Sequence, residues 1–310
     1  MLLLMFLVFA GSGDNALNGI HDLMKSDPAK ARILLLEAAK NAETRARANY
    51  LLCLLCNRQN DIEGALAYGK TAAALLKDDS EAQLQYAIAI RNKCGASTFY
   101  AMTHGGLYRK TLKRAISLDR HNYAAWYEQI GYYMNAPAIA GGSMDKARST
   151  LKALDELNAD AALFMSGMMA LDEGQYEKAF ELYQLAYAAD SGNTSALFGA
   201  AWCLFSLKRY PESATRFDAI YADDQGQLQA LKNAARARLM GGFALEEALI
   251  QFEVVGSQAA GNAKQEADAV YYQARVLQAL GRKQEARLAY RRSLKLDSKH
   301  KEAKKWLNSL

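Results

Sequence analysis

A 34-residue period runs through this sequence and limits the architectures open to it. Leu163, Leu197 and Leu231 are spaced by 34 and 34. Gly167, Ala201 and Ala235 show the same two intervals, as do Gly19, Cys53 and Ala87. Tyr176 and Tyr210, Tyr183 and Phe217, and Ala31 and Ala65 each repeat the interval once. A unit of this length cannot bury its own apolar face, so neighbouring units must stack. The composition makes those units helical. Apolar residues are 51% of the chain, with only 3 prolines. Alanine and leucine are abundant and runs of β-branched residues almost absent.

Within each unit a small residue is usually followed 12 positions later by a second, as in Gly19/Ala31, Cys53/Ala65, Gly167/Ala179, Ala201/Ser213 and Ala274/Ala286. Small residues at such points let two antiparallel helices approach while larger neighbours interlock around them. Units end at the polar breaks KDDS, NADA, DSGN, ADDQ and LDSK. Several breaks supply helix caps, among them Ser80 with Gln83 three residues on, and Asp27 before Pro28.

The unit resembles the tetratricopeptide repeat, a helix–turn–helix of the same length. LFMSGMMALDEGQYEKAFELYQLAYAAD is the best match, through Leu163, Gly167, Gly174, Tyr176, Ala179, Tyr183 and Ala186. The proline that often closes the repeat is missing throughout. The resemblance implies an all-α fold, a right-handed α-solenoid of about eight TPR-like units over residues 14–298. Its irregular points are 92–106, 136–143 and 256–265, and residues 299–310 form a capping helix with Trp306 and Leu307. It also implies a bacterial type of repeat protein that binds partners along the first helix of each unit.

Two irregularities raise functional questions. In APAIAGGSMDKA, residues 136–147, four extra residues separate the small pair Gly131 and Ala147. Pro137 stops a helix, Gly141 and Gly142 permit a tight turn, and Ser143 is a natural N-cap with Asp145 in the first turn. A phosphate loop needs a preceding strand and a Lys-Ser or Lys-Thr pair at the helix start. Neither is present, so this is a connector. The stretch NKCGASTFYAMTHGG, residues 92–106, with its glycines and polar residues, is expected to be a loop.

Signatures of catalysis are missing. His21, His104, His121 and His300 fall in different units, and Asp78/Asp79 and Asp223/Asp224 sit at unit breaks, where capping accounts for them. No nucleophile elbow, Walker loop or dinucleotide fingerprint occurs. The expectation is no enzyme, no cofactor and no metal. Cys53 and Cys56 form a CxxC, but Cys94 and Cys203 do not supply a second pair for zinc. The thiols are expected to be buried and free, with a Cys56–Cys94 disulfide left open if the chain is exported.

Export is itself an expectation from MLLLMFLVFA, too short an apolar run to span a bilayer as a helix. Followed by GSG, it has the form of a signal-peptide core, so residues 1–13 are assigned as a leader-like segment and the location as periplasmic, or cytoplasmic if the segment is not a signal. The net charge of +5 is uneven. From Lys264 to Leu310 there are 12 Lys+Arg against 5 Asp+Glu, and in the remainder 26 against 28.

Counting three before and one after each small residue places Phe164 and Met168, Phe198 and Trp202 (with Phe205), Lys232 and Arg236, and Tyr271 and Arg275 on the binding surface. An aromatic floor followed by cations suits an amphipathic segment with an acidic end. The expected partner is therefore a protein or peptide. The alternatives are an apolar small molecule or lipid in an envelope transport role, and anionic-surface or nucleic-acid contact through the basic C-terminus. The family's chaperone-binding clamp of lysines and asparagines is not matched, because Tyr50, Leu54, Phe164 and Met168 stand at those points.

Overall fold

The computed structural model describes Leu17 and residues 19–309, so the leader-like segment 1–13 lies outside the described residues. They contain seventeen α-helices in two compact units, divided between Leu157 and Asn158.

The first unit holds four helix pairs: α1 (Ile20–Ser26) and α2 (Pro28–Ala38), α3 (Arg45–Arg58) and α4 (Ile62–Leu75), α5 (Ser80–Ala96) and α6 (Thr98–Leu118), α7 (Tyr123–Asn135) and α8 (Met144–Leu157). The second holds four more and a final helix: α9 (Ala159–Asp172) and α10 (Tyr176–Ala189), α11 (Thr194–Ser206) and α12 (Tyr210–Asp223), α13 (Leu228–Gly241) and α14 (Leu245–Gln258), α15 (Ala263–Ala279) and α16 (Lys283–Leu296), then α17 (Lys301–Leu307). Within each unit every helix packs chiefly on its sequence neighbours, as stacked repeats require.

Local chemistry starts these helices. Asp27, Asp61, Asp79, Ser97, Asn122, Asn158, Asn193 and Asn262 each accept a hydrogen bond from the backbone N–H three residues on. Each such cap contributes about 1 kcal/mol. One expectation is corrected here. Asp79, not Ser80, caps α5, while the Ser80 hydroxyl donates to Ala115 O at 2.9 Å and so ties α5 to the end of α6.

The small-residue columns do their expected work at most positions. Ala31, Cys53, Ala65, Ala87, Ala179, Ala201, Ala274 and Ala286 are completely buried. Glycine is required where a ring passes. A Cβ on Gly167 would lie 2.9 Å from the Tyr183 ring, and one on Gly199 would lie 2.7 Å from its other edge. Two positions depart from this: Gly19 is exposed, at φ +79° just before α1, and Gly131 is half-buried with nothing within 4 Å of a Cβ placed there. Close helix approach does not explain either glycine.

Residues 92–106 are also corrected. They form no loop; α5 runs to Ala96, Ser97 caps α6 through Tyr100 N, and α6 continues for 21 residues. The extra residues lengthen two packed helices instead. Cys94 and Tyr100 pack against the core of Leu84, Ala87, Tyr108 and Leu112. The irregularity at 256–265 is likewise absorbed by a 17-residue α15 after a short turn.

The connector at 136–143 behaves as expected. Gly141 has φ +99°, and a Cβ on Gly142 would fall 1.7 Å from Ala136 O, so the glycine pair is a backbone requirement. Gly142 N donates to Pro137 O at 3.1 Å and Ser143 N to Tyr133 O at 2.8 Å, closing the turn onto α7. The Ser143 hydroxyl then accepts from Lys146 N at the start of α8.

Candidate functional site

The sequence-derived surface residues of the second unit come together in large part. Phe164, Met168 and Leu171 from α9, Phe198 and Trp202 from α11, and Asn233 and Arg236 from α13 line an open cleft of about 430 Å³. These helices are the first members of successive pairs, so one face of each contributes a turn-spaced set of side chains. Tyr183 and Gly199 also line the cleft. They were not predicted. Tyr183 belongs to a second helix, and its ring reaches the cleft only because Gly167 and Gly199 leave it room.

The aromatic residues hold one another. Trp202 stacks on Phe205 at 5.1 Å between centroids, Phe205 meets Tyr210 edge-on at 5.4 Å, and Phe198 meets the buried Phe217 at 5.0 Å. Such contacts fix the rings before any ligand arrives. At the polar edge, the Arg236 guanidinium lies over three rings, 5.5 Å from Trp202, 5.5 Å from Phe205 and 5.6 Å from Tyr272. It donates to Asn233 Oδ1 at 3.2 Å. No carboxylate neutralises it among the described residues. Lys232, by contrast, is paired with Asp268 and lies over Tyr272.

The last predicted pair stands apart. Tyr271 is 6% exposed and packs in the core with Tyr290 and Ala303. Burial raises the pKa of its phenol, opposed by the hydrogen bond from Arg275. Arg275 donates to Tyr271 Oη at 3.2 Å and lies 3.8 Å over the Trp306 ring, fastening α17 to the preceding pair. The spacing rule failed here because the pair α15 and α16 is followed by the short α17, whose Trp306 and Ala303 pack against the side chains that the rule would expose.

The cysteines carry no thiolate chemistry. All four are free, so Cys56 and Cys94 do not pair. Burial pushes Cys53 up to about 12, and Cys56 and Cys203 up to about 11. A thiol held this way is a packing group. Cys56 also faces the Asp61 carboxylate at 3.5 Å, which disfavours the thiolate further. Among the described residues no helix is long and apolar enough to cross a membrane, and no group of three or more His, Cys, Asp or Glu side chains could hold a metal.

Two family models, both for the tetratricopeptide repeat, match residues 170–239 and 138–194. No curated protein matches the sequence. Among solved structures, a tetratricopeptide repeat protein from Parabacteroides merdae is 14% identical with TM-score 0.51, covering 85% of this chain and 97% of that one. The APC/C hetero-tetramer Cut9-Hcn1 is 14% identical with TM-score 0.61, covering 99% of this chain and 55% of the other. The human IFIT1 dimer with m7Gppp-AAAA is 13% identical with TM-score 0.58, covering 100% and 79%. At these identities the likeness shows the fold alone. Residues 138–239 thus match the tetratricopeptide repeat, and helix pairs of the same kind continue on either side of them.

Proposed function

We propose that this chain is a non-enzymatic scaffold that holds an amphipathic helical segment of a partner protein in the cleft between α9, α11 and α13. The observation that carries this reading is Arg236, spread over three aromatic rings at the edge of an apolar cleft and lacking a carboxylate. A partner side chain entering between Phe164, Met168, Phe198 and Trp202 loses water on most of its surface, which contributes roughly 2–3 kcal/mol for a large apolar residue. An acidic group at the end of that segment then meets Arg236, whose position is already paid for by its three ring contacts. Phe205 supports Trp202 from behind, and Lys232 is a weaker candidate because Asp268 engages it. Export, expected from residues 1–13, is carried in the same proposal; the intact mass of the native protein reports whether that segment is removed.

A cross-linking pull-down from the native cell tests the scaffold. It compares wild type with a Phe198→Ala/Trp202→Ala variant already checked for unchanged helicity and melting. Specific proteins should be lost from the variant's set. Identical sets would show that the aromatics serve only the interior.

A further inference from the structure

The first unit contains a second concavity with a different chemistry. Residues 106–153 enclose a cleft of about 890 Å³, walled by α6 and α8, the second helices of successive pairs, with α7 beneath. Arg109, Lys110 and Lys113 of α6, Arg120 from the turn that follows it, and Lys146 of α8 line it. No aspartate or glutamate does, and none of these five cations is in an ion pair among the described residues. At the floor, Gln129 is 6% exposed, and its side-chain amide has no hydrogen-bond partner among the described residues.

We propose that this cleft binds a small molecule carrying a linear oligophosphate group. Five like charges around one concavity raise the energy of the empty site, and an anion of matching charge reverses that cost. The volume falls in the range of small-molecule sites. From Arg109 to Lys113 the cations follow α6 for about 6 Å, and Arg120 lies just beyond the end of that helix, so the charge is drawn out in a row that suits several phosphates. The charged groups that line the cleft are all donors. The hydroxyls of Ser117, Ser149 and Thr150 already donate to carbonyls of their own helices, Ser117 to Arg114 O and the other two to Lys146 O. Those hydroxyl oxygens can still accept, so the hydroxyls do not favour a phosphate; what favours it is the five cations, each able to donate to its oxygens.

The connector at 136–143 has a part in this site without touching the ligand. A Cβ on Gly141 would fall 1.7 Å from Arg109 Nη1, so the bare glycine lets the guanidinium pack against the turn, beside the Tyr132 ring at 5.8 Å. Gly141 therefore positions Arg109 at the mouth of the cleft.

Titration calorimetry of the full chain with sodium tripolyphosphate at low and moderate salt tests the proposal. One molecule should bind per chain, more weakly as salt rises. Lys110→Glu/Lys113→Glu should lower affinity at least tenfold with helicity and melting unchanged, and Gly141→Ala several-fold without removing a cation. Trp202→Ala should change nothing. Absence of binding at low salt overturns the proposal, as does unchanged affinity in the double-lysine variant. Equal or tighter binding of a hexaglutamate peptide also overturns it, in favour of an acidic protein segment. If the double variant fails to fold, Lys113→Gln and Gly141→Ala take its place, and unchanged affinity in both is the contradicting result.

Discussion

The two units are built from the same kind of helix pair yet use their cations in opposite ways. In the second unit the positive groups beside the cleft and in the interior are engaged within the protein. Arg236 rests on three rings, Lys232 meets Asp268, and the buried Arg238 joins Asp218 at 2.7 Å and Glu247 at 2.6 Å. Three cations of the basic C-terminal stretch are engaged too, Arg282 on Glu285, Arg292 on Glu266 and Arg275 on Trp306. In the first unit five cations face one cleft with no carboxylate among them. Charge excess along the chain and like charge gathered in one cleft are different quantities.

The strongest way to break that contrast is to remove a structural cation. Arg238→Ala should destabilise the second unit by about 3 kcal/mol, because it strands Asp218 and Glu247 and empties a buried site. Urea unfolding measures it, and a loss under 1 kcal/mol would remove the distinction between the two sets of cations. Glycine substitutions separate packing from mere helix composition. Gly199→Ala should cost about 2 kcal/mol by driving a methyl into the Tyr183 ring, whereas Gly131→Ala should stabilise by up to about 1 kcal/mol, since nothing opposes its Cβ. The same denaturation curves decide the signs.

Alkaline pH gives a smaller, graded effect. Cys53 is raised from 9.0 to about 12 by burial, so it is neutral in both states below pH 9. Above that the unfolded thiol ionises first, and stability falls as pH rises from 9 toward 12. The loss from Cys53 alone is about 1 kcal/mol at pH 10. Melting followed from pH 8 to 11 should show a shallower decline in Cys53→Ala than in wild type. Smallest of all, Lys113→Ala should shift ligand-free stability by no more than about 0.5 kcal/mol. A larger loss would make that lysine a structural group and weaken the case for the basic cleft.

How much of this was legible in the sequence depended on whether neighbours in space were also periodic in the chain. The 34-residue columns announced the pairs, and counting from Gly167, Ala201 and Ala235 reached Phe164, Met168, Phe198, Trp202 and Arg236. The same counting missed Tyr183, because a second-helix ring enters the cleft through gaps left by two glycines. It misplaced Tyr271 and Arg275, because α17 departs from the repeat and folds over them. Residues 92–106 read as a loop because glycines usually break helices. Gly95 and Gly106 instead lie on exposed faces of α5 and α6, and Gly105 packs near the Tyr132 hydroxyl. The basic cleft left a linear trace in RKTLKRAISLDR, residues 109–120, with five cations against one acid, but the run is not periodic with the repeat, and Lys146 joins it from α8.

Selection of random 15-residue peptides against the purified chain, followed by affinity measurement on variants, tests the central claim most directly. The account predicts enriched peptides with apolar residues at helical spacing and an acidic end. Their affinity should fall at least tenfold in Phe198→Ala/Trp202→Ala and in Arg236→Ala, but hold in Lys110→Glu/Lys113→Glu. Peptides that bind all three variants equally, or that lose affinity only in the lysine variant, would contradict it.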